Sequence, residues 1–297
     1  MITSDFTGNF GNHLFQYVAT RVIADKKGLD YGFTKHIYGD YYGGRSQFDF
    51  FNLDYGKGTE GLVFEDYKEK VVQVEYCGDI INIHKVDDFK ELKNNSKICG
   101  CWQQMEPYFR EHKEDIKKWL EIDRNKIFEY LNVLAQYNIN LDENLTIINL
   151  RGGEYLSIPN VLLPKSYVEN SIFIMKRRNP NMKFIIITDD IKFYQQQFPS
   201  IPCIHHSIGF DYWIINNAKW VILSNSSFPM FAAYLNDKAN LILAPKYWSR
   251  FNTSDGVWGN SLIMTSNFKY LDRNGNVEPY SQIIEELRNS KYWKYYF

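Results

Sequence analysis

Residues 145–154 read LTIINLRGGE, an apolar run of six residues followed at once by an arginine, two glycines and an acid. A short apolar run with polar flanks predicts a buried β-strand. Similar runs follow as KFIIIT (183–188), WVILS (220–224) and LILAP (241–245). The stretches between these runs, such as 165–179, have the spacing of amphipathic helices. This alternation predicts βαβ units around a parallel sheet, and therefore an α/β fold.

The chain before this region has a less regular pattern. A helix is predicted after Gly11, with apolar residues at helical spacing and Gly28 at its end. Strands are predicted at 71–76 and 97–102, and helices at 107–120 and 125–137. The polar stretch NINLDEN (138–144) predicts a boundary between an N-terminal domain at 1–144 and a C-terminal domain at 145–297. The aromatic tail SKYWKYYF (290–297) is expected to pack back on the N-terminal domain.

Composition excludes several classes of protein. A net charge of −1 argues against a nucleic-acid partner, because nucleic-acid binding requires an excess of basic residues. No apolar run reaches the roughly 18–20 residues that a membrane-spanning helix needs. No basic-then-apolar leader precedes the first motif, so we expect a cytoplasmic protein without a transmembrane segment.

The opening loop GNFGN (8–12) places two glycines directly before a predicted helix. Glycines allow a ligand to approach backbone amides closely, and a helix N-terminus favours an anion. The spacing is neither that of GxGxxG nor that of a Walker loop. A tight turn without a ligand explains the same residues.

Ligands of parallel α/β sheets bind at the carboxyl ends of the strands, so the residues that follow each strand are candidates. Arg151 suits bidentate binding of a phosphate, although a structural ion pair with Glu154 is the alternative. Asp189 and Asp190 follow the next strand and suit either metal binding or helix N-capping, of which capping is the commoner. The sequence contains no DxD motif, which weakens the case for a metal.

The segment SNSSFP (224–229) lies after a predicted strand and before a predicted helix. Its hydroxyl groups and backbone amides suit an anion. Ordinary N-capping of the following helix is the alternative.

Taken together and in order, these motifs are much more specific than any one of them. The order is GNFGNHLFQY (8–17), CWQQMEPYF (101–109), NLRGGEY (149–155), ITDD (187–190) and DYWIINNAKWVILSNSSFPMFAAYLN (211–236), followed by APKYW (244–248). The set resembles the bacterial α-1,2-fucosyltransferases and, more distantly, the wider fucosyltransferase superfamily. The resemblance extends from residue 8 to about residue 248.

The resemblance implies a GT-B architecture, in which two Rossmann-like domains face each other across a cleft. It implies an inverting, metal-independent transferase that needs no cofactor. The enzyme would move L-fucose from GDP-fucose to a hydroxyl of a saccharide acceptor, with an α-1,2 linkage.

The resemblance also implies roles for individual residues. Arg151 would bind the diphosphate and stabilise departing GDP, and Asn12 would contact the donor, with Gly11 beside it. Asp211 would hold guanine. Ser226 and Ser227 would receive the phosphates, and Asn149 would lie near the nucleotide. The general base stays open between Glu154, His13 and Asp5.

Three departures from the family pattern affect these expectations. The motif HxRRGD has become Asn149–Glu154 and retains one arginine, GNQ has become GNH at 11–13, and PMF (229–231) replaces the usual tryptophans. The departures leave open a different GDP-sugar or nucleotide-sugar donor, and a non-catalytic protein that binds sugar or nucleotide. A nicotinamide dehydrogenase is disfavoured, because no GxGxxG opens a helix after a first strand with a ribose-binding acid beyond it.

Overall fold

The computed structural model describes residues 1–4, 6–33, 48–100, 104–158, 161–253, 256–259 and 263–297. Contacts between residues divide the chain into two compact units. Met1–Asp123 and Trp293–Phe297 form most of the first unit. Arg124–Gly259 and Met264–Tyr292 form the second unit.

The first unit combines strands of three or more residues with two longer helices. Its elements in chain order are β1 (Ile2–Ser4), α1 (Phe10–Lys27), β2 (Glu65–Lys68), β3 (Val71–Tyr76), β4 (Asp79–His84), β5 (Ser96–Cys99) and α2 (Lys113–Trp119). Within the described residues β5 pairs in parallel with β1 on one side and β2 on the other, and β3 pairs with β4 as an antiparallel hairpin.

Helix α1 lies at the centre of this unit. Most of its side chains are buried, including polar ones such as His13 and Gln16, so the helix is buried on more than one face. It ends where predicted, because Gly28 adopts the left-handed conformation (φ 62°) and its amide donates to the carbonyls of Ala24 and Asp25. Lys26 and Lys27 in the last turn complement the negative end of the helix dipole.

The second unit contains the elements α3 (Arg124–Gln136), β6 (Leu145–Leu150), α4 (Lys165–Arg178), β7 (Lys183–Thr188), α5 (Ile191–Gln197), β8 (Cys203–Ile204), α6 (Ile208–Asn217), β9 (Trp220–Ile222), α7 (Ser227–Tyr234), β10 (Leu241–Pro245), β11 (Lys269–Leu271), β12 (Val277–Pro279) and α8 (Tyr280–Asn289). The four apolar runs LTIINL, KFIIIT, WVILS and LILAP form β6, β7, β9 and β10. All six residues of β6 are buried, as expected for a parallel strand covered on both faces.

The described strands of this unit form one sheet in the order β12-β11-β10-β9-β6-β7-β8, parallel except for β12. The chain runs outward from β6 through β7 to β8 and then returns to the other side of β6 as β9. The strand order therefore reverses between β6 and β9. In doubly wound sheets a ligand binds outside the carboxyl ends of the strands at such a switch point.

The division between the units lies after Asp123, whereas the boundary predicted from the sequence lies at 144. Helix α3 belongs by its contacts to the second unit, because the Tyr130 ring packs against the rings of Phe210 and Trp213 on α6. The polar stretch 138–144 is a tight connection, in which the amide of Ile139 donates to the carbonyl of Leu134.

The carboxyl-terminal tail forms the short helix α9 (Trp293–Tyr296), which belongs to the first unit. Tyr296 is fully buried, and its carbonyl accepts from the amide of Val86. Sequence patterns did not predict β1, β11 or β12, because three residues are too few to show a period, and they did not predict the six-residue strand β4. No helix in the described part of the chain has both the length and the hydropathy needed to cross a bilayer.

A buried lysine ties the end of β10 to the last elements of the second unit. Lys246 is 6% exposed, and its Nζ lies 2.7 Å from carboxylate oxygens of both Glu278 and Glu286. Burial alone would lower the pKa of Lys246, but the hydrogen bonds to the two glutamates outweigh it and hold the pKa above its usual value. The ammonium group is therefore charged in the folded protein.

Lys246→Met is expected to lower the free energy of unfolding by about 3 kcal/mol, because it leaves the buried carboxylate of Glu278 without its partner. Lys126→Met removes a half-exposed pair with Glu129 and is expected to cost at most about 0.5 kcal/mol. Urea denaturation followed by tryptophan fluorescence measures both. Equal losses of unfolding free energy in the two variants would show that Lys246 does not link β10 to the last elements of the unit.

Candidate functional site

The carboxyl ends of β6 and β7 bring an arginine and a carboxylate together. The register pairs Leu150 with Thr188, so the next residues, Arg151 and Asp189, lie side by side. Arg151 Nη1 lies 2.6 Å from Asp189 Oδ2, and the amide of Gly152 donates to Asp189 Oδ1 at 2.8 Å. One carboxylate thus fixes both the guanidinium and the backbone that carries it.

This close approach of the two strand ends requires a glycine at position 152. A Cβ on Gly152 would lie 2.5 Å from Asp190 Cβ, closer than real Cβ contacts come. Asp190 caps α5, where its Oδ1 accepts from the amide of Phe193 at 3.0 Å. The capping alternative is therefore confirmed for Asp190, while Asp189 is instead the partner of Arg151.

Other contacts complete the surroundings of Arg151. Its Nη2 lies 3.2 Å from Glu154 Oε1, so the ion pair anticipated from the sequence is present. Its carbonyl accepts from the hydroxyl of Tyr194 at 2.7 Å, and its guanidinium carbon lies 5.4 Å from the centre of the Tyr155 ring. The side chain of Arg151 is 19% exposed and that of Glu154 is 56% exposed. Asp189 and Tyr194 therefore hold the arginine, and Glu154 pairs with it from the solvent side.

The loop after β9 lies across the switch point from Arg151. Ser224 Oγ donates to Asn149 Oδ1 at 2.8 Å, which joins the ends of β9 and β6. Both residues are buried, so the Asn149 side chain spans the two strands rather than facing solvent. Ser226 caps α7, because its Oγ accepts from the amide of Phe228. The capping alternative is confirmed there, and Ser227 begins the helix.

Tyr155 connects the loop after β6 with the loop after β9. Its hydroxyl lies 3.4 Å from the carbonyl oxygen of Asn225 and also hydrogen-bonds Ser226. Burial raises the pKa of Tyr155, opposed by the charge of Arg151, so the phenol stays protonated at neutral pH. Asn225 donates to the carbonyl of Val161, and its buried Oδ1 has no hydrogen-bond partner among the described residues.

A histidine–aspartate pair lies at the carboxyl end of β8. His205 Nδ1 is 2.6 Å from Asp211 Oδ2; the imidazole side chain is 43% exposed and the carboxylate side chain 7%. Burial raises the pKa of Asp211, and the hydrogen bond to Asp211 raises the pKa of His205. The hydrogen bond between the two side chains favours the charged form of the imidazole, while burial disfavours the charged form of the carboxylate.

The opening loop of the first unit has a steric explanation. Gly8 has φ +78°, and a Cβ there would lie 2.3 Å from Asn12 Nδ2. The loop therefore needs glycine because the Asn12 side chain folds over it. Helix α1 begins at Phe10, so Gly11 and Asn12 lie in its first turn rather than before it.

Two glutamines hold this loop in place. The Nε2 of the buried Gln104 donates to Asn12 Oδ1 at 2.7 Å. Gln16 accepts from the amide of Thr7 at 3.1 Å and donates to the carbonyl of Gly100 at 2.9 Å. The orientation of Asn12 is thus fixed by contacts within the first unit.

The two other general-base candidates from this region have different outcomes. His13 is 3% exposed and packs against the rings of Phe6 and Phe48. Burial lowers its pKa to about 4, opposed by a hydrogen bond to the Gly8 backbone, so it is neutral at pH 7 and shielded from a substrate. Asp5 lies outside the described residues.

Several functional-site contacts were missed from the sequence. The role of Asp189 depends on the β6–β7 register, and the pairing of His205 with Asp211 depends on a turn between β8 and α6.

No group of three or more histidine, cysteine or acidic side chains in the described ranges is placed to hold a metal ion. The GxGxxG spacing at Gly56–Gly61 leads into β2 and not into a helix, so it is not a dinucleotide fingerprint.

Comparison with known protein families identifies the family of this chain. The profile described as glycosyl transferase family 11 matches residues 69–257, which is more than half of the chain. The chain belongs to glycosyl transferase family 11. The matched range includes Arg151, Asp189, His205, Asp211 and Ser226.

Two curated relatives of this family 11 protein come from Escherichia coli. An alpha-1,2-colitosyltransferase is 28% identical over 181 residues, which cover 53% of this chain and 57% of the relative. The O-antigen biosynthesis glycosyltransferase WbnK is 23% identical over 154 residues, which cover 47% of this chain and 49% of the relative. The chain therefore spans about half the length of the curated relatives it matches.

Solved structures resemble the fold of the family 11 protein. Fucosyltransferase NodZ from Bradyrhizobium matches with a TM-score of 0.50 at 15% identity, covering 81% of this chain and 93% of NodZ. POFUT1 in complex with GDP-fucose matches with a TM-score of 0.52 at 12% identity, covering 80% of this chain and 95% of POFUT1. These likenesses confirm the predicted α/β, GT-B fold class.

His13 makes the stability of the family 11 protein depend on pH. Its pKa is about 4 when folded and 6.5 when unfolded, so the unfolded chain binds the proton first and stability falls as pH drops below 6.5. Between pH 7 and pH 5 the wild type is expected to lose about 2 kcal/mol through this residue.

Urea denaturation at the two pH values measures this loss. His13→Gln should lack most of it, whereas His206→Gln, which changes an exposed histidine, should retain it. The same loss in His13→Gln and in the wild type would contradict a buried neutral imidazole.

Proposed function

We propose that this protein is a metal-independent, inverting glycosyltransferase that moves L-fucose from GDP-fucose to a hydroxyl of a saccharide acceptor. The observation that carries the proposal is the fixed guanidinium of Arg151 at the β6–β9 switch point. Switch points in such sheets bind nucleotides, and guanidinium groups bind phosphate. Membership in glycosyl transferase family 11 supports transfer of a sugar in particular.

The donor diphosphate would lie between Arg151 and the start of α7. The Arg151 guanidinium has five N–H donors. In its ion pairs, one nitrogen contacts Asp189 and another contacts Glu154. Glu154 is exposed and can move aside, whereas Asp189 also holds the Gly152 amide and stays. The amino-terminal end of α7 adds a favourable dipole, with Ser226 and Ser227 beside the phosphates.

The chemical step is a single displacement at the anomeric carbon of the donor sugar. A bond forms between the acceptor oxygen and C1 while the bond from C1 to the diphosphate oxygen breaks on the opposite face. Arg151 stabilises the negative charge that develops on departing GDP. The acceptor proton passes to a base, for which Glu154 is the candidate that lies beside Arg151 and is exposed to solvent.

We also propose that Asn12 contacts the donor. Gln104 holds its Oδ1 at 2.7 Å, which fixes the amide in one orientation. A preorganised amide of this kind loses little entropy on binding a sugar or a phosphate. Gly11 lies beside it in the first turn of α1 and is buried.

A second candidate donor is a GDP-sugar other than GDP-fucose. The alpha-1,2-colitosyltransferase relative supports this alternative, and so does the single arginine that remains in the motif after β6. Both relatives act in transfer of a sugar according to their names, and the first supports an α-1,2 linkage. GDP-fucose and GDP-colitose are therefore the two donors to compare.

Arg151→Ala is expected to reduce kcat/KM by at least about 100-fold, as when an oxyanion-type donor is removed. Arg151→Lys should recover part of the activity, because it keeps the charge but loses the planar fork. Arg178→Ala, in the last turn of α4, is the matched control and should leave activity unchanged. Initial rates of GDP release measure all three. Normal turnover in Arg151→Ala would exclude the residue from the mechanism.

Isothermal titration calorimetry in the presence of EDTA tests both the identity of the donor nucleotide and the requirement for a metal ion. GDP and GDP-sugars are expected to bind at least about tenfold more tightly than UDP or ADP, and the chelator should not weaken binding. A requirement for a divalent cation would contradict metal independence. Binding of GDP without turnover of either donor on any saccharide acceptor would favour the non-catalytic alternative.

A further inference from the structure

A groove on the first unit is formed by residues that have no part in the proposed reaction. Its volume is about 650 Å³, which lies within the range of about 300–1,000 Å³ that is usual for small-molecule sites. Its walls come from the last turns of α1, from residues 29–31 and 54–57, and from α2. On α1, Arg21 in the groove is nine positions from Asn12, which corresponds to about 14 Å along the helix. The groove is therefore separate from the proposed contact between Asn12 and the donor.

Two aromatic rings and an arginine contact one another in the wall of this groove. The guanidinium carbon of Arg21 lies 4.1 Å from the centre of the Trp119 ring and 4.7 Å from the centre of the Tyr31 ring. Its Nη1 donates to the hydroxyl of Tyr17 at 2.6 Å, whereas its Nη2 has no hydrogen-bond partner among the residues that the structure describes. The rings and Tyr17 hold the guanidinium in place, and Nη2 is left to donate to a ligand.

Carboxylates line much of the remaining wall, among them Asp25, Asp54 and Asp115. Asp54 Oδ2 accepts from the hydroxyl of Tyr31 at 2.6 Å, and its Oδ1 accepts from the amide of Gly56 at 2.9 Å. These hydrogen bonds hold the pKa of Asp54 below its usual value, so the carboxylate is ionised at neutral pH. Each carboxylate oxygen has a second lone pair, so Asp54 can accept further hydrogen bonds from a ligand.

The charges of the groove disfavour an anionic ligand. An anion would meet four carboxylates but only two cationic side chains, Arg21 and Lys57. Lys57 is already paired with Asp30, because its Nζ lies 2.6 Å from Asp30 Oδ2. A purely apolar ligand is disfavoured as well, since it would cover the carboxylates without giving them hydrogen bonds.

A neutral saccharide satisfies all of these groups at once. Each of its hydroxyl groups both donates and accepts, so it can donate to the carboxylates and accept from Arg21 Nη2. Its C–H groups carry a weak positive charge and pack against the negative faces of aromatic rings, which Trp119 and Tyr31 supply.

We propose that this groove, defined by Arg21, Tyr31, Asp54, Asp115 and Trp119, binds a neutral saccharide. The inference goes beyond the proposed function, which assigns no residue to the binding of a saccharide in this part of the first unit. It does not depend on the identity of the donor.

A glycan array carrying neutral, sulfated and amino-sugar oligosaccharides tests the inference. The full chain is applied without nucleotide and is detected through an affinity tag. Wild-type protein is expected to bind neutral members of the array, and Trp119→Ala should weaken that binding at least about tenfold. Phe128→Ala, which removes an exposed ring on α3 outside the groove, is the matched control and should bind as the wild type does.

A second variant tests the groove without removing a packed ring. The side chain of Asp115 is 50% exposed, so Asp115→Asn removes a charge without leaving a buried group unpaired. Isothermal titration calorimetry with the neutral saccharides found on the array should show about fivefold weaker binding. Glu129→Gln changes a similarly exposed carboxylate that is also paired with a lysine three positions away, and it should bind normally. Thermal melting shows whether each variant is folded.

Three outcomes would overturn the inference. They are a preference for sulfated or amino-sugar members of the array, no binding of any neutral member, and equal binding by wild type, Trp119→Ala and Asp115→Asn. The proposed function fails separately from the inference. Wild-type protein that binds neutral saccharides through the groove but turns over no GDP-sugar would contradict the proposed function alone. If both hold, Arg151→Ala should lose sugar transfer and keep its binding to the array.

Discussion

The carboxylate of Asp189 accepts from the Arg151 guanidinium at 2.6 Å and from the Gly152 amide at 2.8 Å. This contact is possible because β6 and β7 are paired in register to their last residues and because Gly152 has no Cβ. It fixes a positive charge at the point where the strand order of the second unit reverses. The proposed binding of the diphosphate and the proposed stabilisation of departing GDP both depend on that fixed charge.

A row of paired groups follows the carboxyl edge of the sheet from this point. Arg151 pairs with Asp189, and Asp189 lies near enough to His205 to raise the pKa of the imidazole, which is held by Asp211. Each charged group that is largely buried thus has an opposite partner, which is what keeps burial of charge tolerable. The edge is therefore organised before any ligand arrives, and little reorganisation is needed on binding.

The sequence predicted the central strands of the second unit well because they are apolar runs bounded by polar residues. The segments LTIINL and KFIIIT form β6 and β7 with the predicted limits, and helix α4 differs from its prediction by one residue. The partner of Arg151 was not predictable in the same way. Glu154 is close in sequence, whereas Asp189 is reached only through strand register. Similarly, the boundary at 144 followed local polarity, while helix α3 is placed by ring contacts of Tyr130 that no local pattern reveals.

In the opening loop the motif is visible in the sequence, but its cause is visible only in the structure. The sequence pattern identifies its glycines, and for Gly8 the structural reason is the Asn12 side chain, which fills the space that a Cβ there would need. The most direct test of the whole account is a crystal structure with GDP bound in the presence of EDTA. We expect the β-phosphate within hydrogen-bonding distance of the Arg151 guanidinium at the β6–β9 switch point, with Asp189 still paired. A nucleotide bound elsewhere on the chain, or only together with a metal ion, would contradict it.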